Sequence, residues 1–280
     1  MKQGWGRVIY CLLAIASFVA CGGGGSDSGE GGGGCEALNV KVFNGETCSA
    51  DARSPVIALF PIASDGSQIF MAGICTGTLV TVDDVLTSAH CFINPLRDYG
   101  TQIVAFAAVV GGSEIEVIEV SNLSIHPFYD GSVGSPFDLA MATLAEVPSP
   151  AIGPVPILIS QLTESGQRMS TFGYGTNNLG EVGVLKSAEL VIDEVVGDGV
   201  GGNLLASLES SGASICNGDS GGPVIQVIDG VASVVGVNSF GTVQADQCAV
   251  AGSQFSGFVD LQYQAVIDFI VGYASDVTLS

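Results

Sequence analysis

Hydrophobic positions fall into three regimes along the chain. A short apolar run, Val8–Ala20, comes first; the stretch GGGGSDSGEGGGG between Cys21 and Cys35 then carries no apolar side chain at all. Beyond residue 41, short β-branched runs alternate with Gly, Pro, Asn and Asp, the rhythm of an all-β protein. Strands are predicted at Val56–Phe60, Gly73–Val80, Ile103–Val110, Ile115–Val120, Leu139–Leu144, Leu185–Val191, Pro223–Ile228, Val231–Ser239 and Gln254–Val259, with a further apolar strand just before His90. One segment breaks this period. In Leu261–Tyr273 the positions Tyr263, Val266, Ile267 and Ile270 recur at spacings of three and four, which places them on one face of a helix expected to pack on a barrel.

The first two regimes read as an address and a tether. Lys2 and Arg7 precede an apolar run too short to cross a hydrocarbon core, which takes about 20 apolar helical residues, but suited to the core of a signal peptide. Residues 1–20 are therefore expected to be a signal peptide. Phe18-Val19-Ala20-Cys21 resembles a bacterial lipobox, with Phe18 where Leu is usual. The resemblance implies lipid on Cys21 and anchorage to the membrane of a bacterial envelope. The competing reading is ordinary secretion, with Cys21 incidental. Residues 21–34 cannot bury apolar surface and should form a flexible tether.

Charge removes one class of partner. Lys plus Arg number 7 against 28 Asp plus Glu, a net charge of -21 that repels a phosphate backbone and excludes nucleic acid. Apolar residues make up 47% and charged ones 12%, the reverse of a disordered chain. Eight Cys are present; setting aside Cys11 in the leader and Cys21 leaves six, which in an exported chain implies disulfides. Six Cys allow fifteen pairings, and spacing alone does not choose among them.

Three segments carry chemistry: Val85-Leu86-Thr87-Ser88-Ala89-His90-Cys91, Phe137-Asp138-Leu139-Ala140-Met141, and Gly218-Asp219-Ser220-Gly221-Gly222-Pro223. A Ser hydroxyl is a poor nucleophile at neutral pH and needs a base poised near that pH, a role suited to His90. A carboxylate behind the imidazole, Asp138, would fix its tautomer and stabilise the cation formed on proton transfer. Backbone N–H groups of Gly218 and Ser220 would receive the oxyanion, each worth about 3 kcal/mol. Together the segments resemble the chymotrypsin-like, trypsin-family serine proteases, in that family's order of His, Asp and Ser, over residues 42–280. The resemblance implies two six-stranded antiparallel β-barrels with a C-terminal helix, and a serine endopeptidase acting on protein or peptide substrates through an acyl-enzyme. It implies no cofactor. The chain's two His leave little room for a His-based metal site, and His126, in Ile125-His126-Pro127-Phe128-Tyr129, is expected to be structural.

The family resemblance also implies pairings. Cys75 would pair with Cys91 to hold the His90 loop, and Cys216 with Cys248 across the pocket mouth; Cys35 and Cys48 are then left. They straddle Lys41-Val42, which resembles the family's activation junction. Residues 35–41 would be a short propeptide. Cutting after Lys41, by an activating protease, would free an ammonium on Val42 to pair with Asp219 and order the oxyanion hole, and a Cys35–Cys48 bridge would keep the severed tether attached. Ser214 stands where trypsin-like cleavage wants an Asp at the pocket base, so an apolar residue before the cut bond is expected. Ser239, Phe240 and Gly241 resemble the substrate-binding strand, Ile215 narrows the pocket, Ser256 is a wall position, and Asp246 lies in a long loop before Cys248. The rival reading is a catalytically silent binding protein on the same fold.

Overall fold

The computed structural model describes residues 53–280 apart from 66, 100–103, 112–113, 177–179, 181 and 242–254. The leader, tether, propeptide, Cys21, Cys35, Lys41, Val42, Cys48, Asp246 and Cys248 lie outside the described residues. The first half carries β1 (Val56–Ser64), β2 (Ile69–Met71), β3 (Cys75–Leu79), β4 (Asp84–Thr87), α1 (His90–Tyr99), β5 (Val104–Gly111), β6 (Glu114–Ile125) and β7 (Ala140–Leu144). Its antiparallel sheet runs β2-β1-β3-β4-β7-β6-β5, and β5 pairs back onto β1, so six strands close a barrel with β2 appended. The second half carries β8 (Arg168–Gly173), β9 (Lys186–Val191), β10 (Glu194–Gly197), β11 (Gly202–Ser207), α2 (Leu208–Ser211), β12 (Pro223–Ile228), β13 (Val231–Gly241), β14 (Phe255–Asp260) and α3 (Gln264–Tyr273). That sheet runs β10-β11-β14-β13-β12-β8-β9. The all-β, two-sheet architecture with a C-terminal helix is the one the resemblance implied, each sheet having a short seventh strand at one edge.

Strand periodicity explains why several strands read as unbroken apolar runs. Successive side chains point to opposite faces, and in β1 both faces are covered. Ile57 and Leu59 join the interior of the first barrel with Leu79, Val85 and Ala142; Val56, Ala58, Phe60 and Ile62 face a cluster shared with Phe172, Tyr174, Val234 and Val259 of the second half. β7 divides likewise, Ala140, Ala142 and Leu144 inward and Met141 toward the shared cluster. A third cluster, with Leu190, Leu204, Val224, Val235 and Phe258, fills the second barrel. At about 1.5–3 kcal/mol for each large side chain buried, the shared layer docks the two barrels firmly, and the candidate residues lie along that seam.

The differences from the sequence reading have local causes. β2, β8, β10 and β11 were not predicted; β10 is exposed throughout and β8, RMSTFG, has no β-branched run to mark it. Helix α1 was not predicted either, and Pro95 inside it is the residue that argues against a helix. Helix α3 begins at Gln264 rather than Leu261, because the Leu261 amide still donates to Val235 O at 3.0 Å, as a sheet residue does. Its buried face is Val266 and Ile270, with Tyr263 and Phe269 packed beside them, while Ile267 is half-buried.

Candidate active site

The ladder between β4 and β7 brings His90 and Asp138 together. Thr87, the last residue of β4, pairs with Ala140, the first of β7; His90 lies three residues beyond the one and Asp138 two before the other. His90 then opens α1. Its backbone N–H donates to Asp138 Oδ1 at 2.9 Å, so the carboxylate satisfies a helix-terminal donor that has no partner within the helix and complements the positive helix end. Its Nδ1 donates to Asp138 Oδ2 at 2.7 Å, which fixes the proton there and leaves Nε2 with its lone pair. Ser239 Oγ on β13 donates to the same Oδ2 at 2.6 Å. Asp138 is 3% exposed, and these three donors are what make a carboxylate tolerable at that depth.

Ser220 reaches the same seam from the second barrel, on the turn before β12. The turn folds through Asp219 N to Cys216 O and Gly222 N to Asp219 O, both 3.0 Å, and Gly221 N donates to Asn238 O at 2.7 Å. It is tied to the first barrel by β3: Thr76 N donates to Ser220 O at 2.8 Å, and Thr76 Oγ1 donates to Gly218 O at 2.8 Å. The disulfide Cys75–Cys91 is formed, and Cys91 Sγ lies 3.8 Å from Ser220 O, so one bridge braces the residues beside both His90 and Ser220. Gly218 has φ +98°, and a Cβ there would stand 2.8 Å from Gly175 Cα; no other residue fits. Among the described residues the N–H groups of Gly218 and Ser220 have no acceptor, which leaves two donors of the turn without a protein partner, on either side of Asp219, with Ser220 itself half-buried.

Beneath the turn, Asp219 is 1% exposed. Its Oδ1 accepts from Gly175 N and its Oδ2 from Cys216 N, both at 2.8 Å. Burial pushes its carboxyl up to about 6, against the pull of those two amides and of the Lys186 charge.

The remaining candidates are placed as follows. Ser214 is buried, and its Oγ has no partner among the described residues. Ile215 donates its N–H to Ser256 Oγ at 3.1 Å, and its side chain belongs to the interior of the second barrel. Phe240 and Gly241 end β13, with Gly241 opposite the buried Ser256. Cys216 is disulfide-bonded. His126 is buried beside the segment that leads to Asp138: Nε2 donates to Ala265 O at 3.3 Å, Nδ1 accepts from Phe128 N at 3.2 Å, and the ring stacks on Phe137 with centroids 4.7 Å apart. Burial holds His126 below the ordinary imidazole range. Three residues that shape the site went unmarked in the sequence reading: Thr76, Asn238, whose Nδ2 donates to Asp219 O at 2.9 Å, and Lys186. A Thr or Asn inside an apolar strand is the signal that marks the first two, since a buried polar group is there to bond something.

The chain has known relatives. The family model described as Trypsin matches residues 42–265. A trypsin of Saccharopolyspora erythraea is 26% identical over 213 residues, covering 71% of this chain and 86% of that protein. Human kallikrein-8 is 30% identical over 226 residues, 74% and 78% of the two chains, and the chymotrypsin-like elastase family member 1 of Macaca fascicularis is 27% identical over 224 residues, 72% and 79%. These names do not favour a silent binding module.

Proposed function

The chain belongs to the trypsin family of serine-type endopeptidases, and from that premise we propose that it cuts peptide bonds with Ser220 as nucleophile, His90 as general base and Asp138 as the group that orients it. The observation that carries this reading is the paired hold of Asp138 on His90, through Nδ1 at 2.7 Å and through the backbone N–H at 2.9 Å. With the imidazole fixed in that tautomer, Nε2 takes the proton of Ser220 as the oxygen attacks the substrate carbonyl, and returns it to the leaving amine. The unoccupied N–H groups of Gly218 and Ser220 take the negative charge on the carbonyl oxygen. Water then hydrolyses the acyl-enzyme by the same proton path.

The finer parts of the proposal follow from sequence. Cleavage after Lys41 frees the Val42 ammonium for Asp219; Ser214 at the pocket base, with no carboxylate, favours apolar residues before the cut bond. The leader and Cys21 make the protein an exported lipoprotein of a bacterial envelope, a setting in which disulfides form and persist, and a Cys35–Cys48 bridge keeps the cut enzyme on its tether.

Labelling by a fluorophosphonate, before and after cutting at Lys41, tests the core of the reading. Label on Ser220, lost in Ser220→Ala, is the expected result; no label in the cut protein would overturn it. Matched peptides differing only before the cut bond test the pocket, where higher kcat/KM for Arg or Lys than for Phe or Leu would sink the apolar assignment.

A further inference from the structure

Four basic residues follow Lys41, three Arg and one Lys, and that lysine is Lys186. A lysine is expected at the surface; Lys186 is instead 7% exposed. It opens β9, opposite Gly173 on β8, and its Nζ donates to Gly175 O at 3.5 Å. The amide of that same Gly175 donates to Asp219 Oδ1 at 2.8 Å. One glycine thus joins an ammonium on its carbonyl side to a carboxylate on its amide side, and only a glycine allows it, since a Cβ on Gly175 would fall 2.5 Å from Oδ1. The two charges stand on either side of one glycine without direct contact, and opposite charges buried that close each lower the cost of burying the other.

We infer that Lys186 is a positioning residue whose ammonium keeps Asp219 ionised in the uncut chain, holding the Gly218–Ser220 turn in working form before any cleavage after Lys41. The groups that face the Asp219 carboxylate among the described residues are the amides of Gly175 and Cys216 and the charge of Lys186. The burial that drives this carboxyl toward its neutral form is opposed first by the amides of Cys216 and Gly175 and then by the Lys186 charge, the one contribution that comes from a side chain. The uncut protein therefore has activity of its own, and cutting adds a second cation at Asp219 where a strict zymogen would gain its first. This rests on the reading above, in which Ser220 is the nucleophile and Val42 becomes the new N-terminus.

The test uses the full chain in two forms, uncut with Lys41→Gln, its intactness checked by mass, and cut after Lys41, each alone or with Lys186→Met or Lys186→Arg. The uncut Lys41→Gln protein should hydrolyse peptides and take fluorophosphonate label. Adding Lys186→Met to it should lower kcat about 100-fold, the scale of a lost oxyanion donor, with KM little changed. Lys186→Arg should restore most of that loss. In the cut protein Lys186→Met should cost only about threefold, because the Val42 ammonium then serves Asp219, and the acid limb of kcat should move to higher pH in the uncut Lys186→Met protein alone. An inert uncut protein beside an active cut one would overturn the inference, as would an equal loss on Lys186→Met in both forms, which marks Lys186 as packing only. A cut wild type that neither labels nor turns over would instead overturn the protease reading, and this inference with it.

Discussion

His90 and Asp138 stand at the ends of two paired strands, whereas Ser220 stands on a turn wrapped around a buried carboxylate. On the first-barrel side the backbone register does the positioning: Thr87 opposite Ala140 sets the distance, and three donors then satisfy Asp138. On the second-barrel side no ladder reaches Ser220. The turn is held by a left-handed glycine at 218 and by the carbonyl of Ser220 bonded to Thr76, and it wraps an aspartate that burial pushes toward its neutral form. One half of the site inherits its geometry from the core and so persists as long as the fold does. The other half, if Asp219 works as inferred above, is conditional on charge, and regulation would act there without unfolding anything.

The largest effect belongs to the packed half. Asp138→Asn keeps the shape of the side chain but offers His90 a donor in place of an acceptor oxygen, and kcat should fall by about four orders of magnitude as the imidazole takes the wrong tautomer. Circular dichroism and the urea midpoint should change little. A variant that keeps a tenth of wild-type kcat would remove Asp138 from the chemistry.

Gly218→Ala strikes the conditional half. The backbone must leave φ +98° and retreat from Gly175, taking one oxyanion donor with it, so kcat should fall by about two to three orders of magnitude. The low-field proton resonance of His90 Nδ1 should be unchanged, because nothing on the β4–β7 side has moved. A shift of that resonance would show that the two halves are mechanically one.

Removal of the brace between them comes next in size. Cys75→Ser with Cys91→Ser opens a disulfide with a sequence separation of 16, a loop whose closure is worth about 3 kcal/mol in the chain-entropy model, and urea unfolding should report a loss of that order. Under conditions where the variant stays folded, kcat should drop less than tenfold, since Thr76 still holds the Ser220 carbonyl.

The comparison also divides what could be read from sequence. β1 and β7 announce themselves because their apolar residues are buried on both faces, and the chemical segments because each carries an unusual residue at a strand end or in a glycine turn. The pairing of Cys75 with Cys91 follows from the family resemblance, not from counting. The edge strands β2 and β10 stayed hidden because, at three and four mostly exposed residues, they are too short to show an alternating pattern. Helix α1 was masked by Pro95. Lys186 was invisible for a different reason: nothing local marks a lysine whose partner lies on another strand's turn, and only the fold sets β9 beside Asp219. Thr76 and Asn238 were legible in principle, as polar residues inside apolar strands, but what each one bonds is tertiary information.

The smallest effect separates the two regions by the sign of their response to acid. His126 sits under the loop that leads to Asp138, stacked on Phe137 and edge-on to Phe269 of α3, with Nδ1 accepting an N–H and so unable to take a proton without losing it. Burial holds its folded value below the ordinary 6.5, so as pH falls the unfolded chain takes up the proton first, and the stability His126 contributes, present above that value, is lost as pH falls through the folded one. Asp219 runs the other way. Its folded value of about 6 lies above the ordinary 3.8, so between those values the folded state holds the extra proton and its share of stability grows as pH falls. Replacing His126 by Phe keeps an aromatic ring among Phe128, Phe137 and Phe269 and removes the titration. The urea midpoint of the variant should therefore fall less than that of the wild type between pH 7 and pH 5, while kcat should decline with acid equally in both, since His126 is no part of the proposed machinery. Equal midpoint slopes would show that His126 does not titrate with folding.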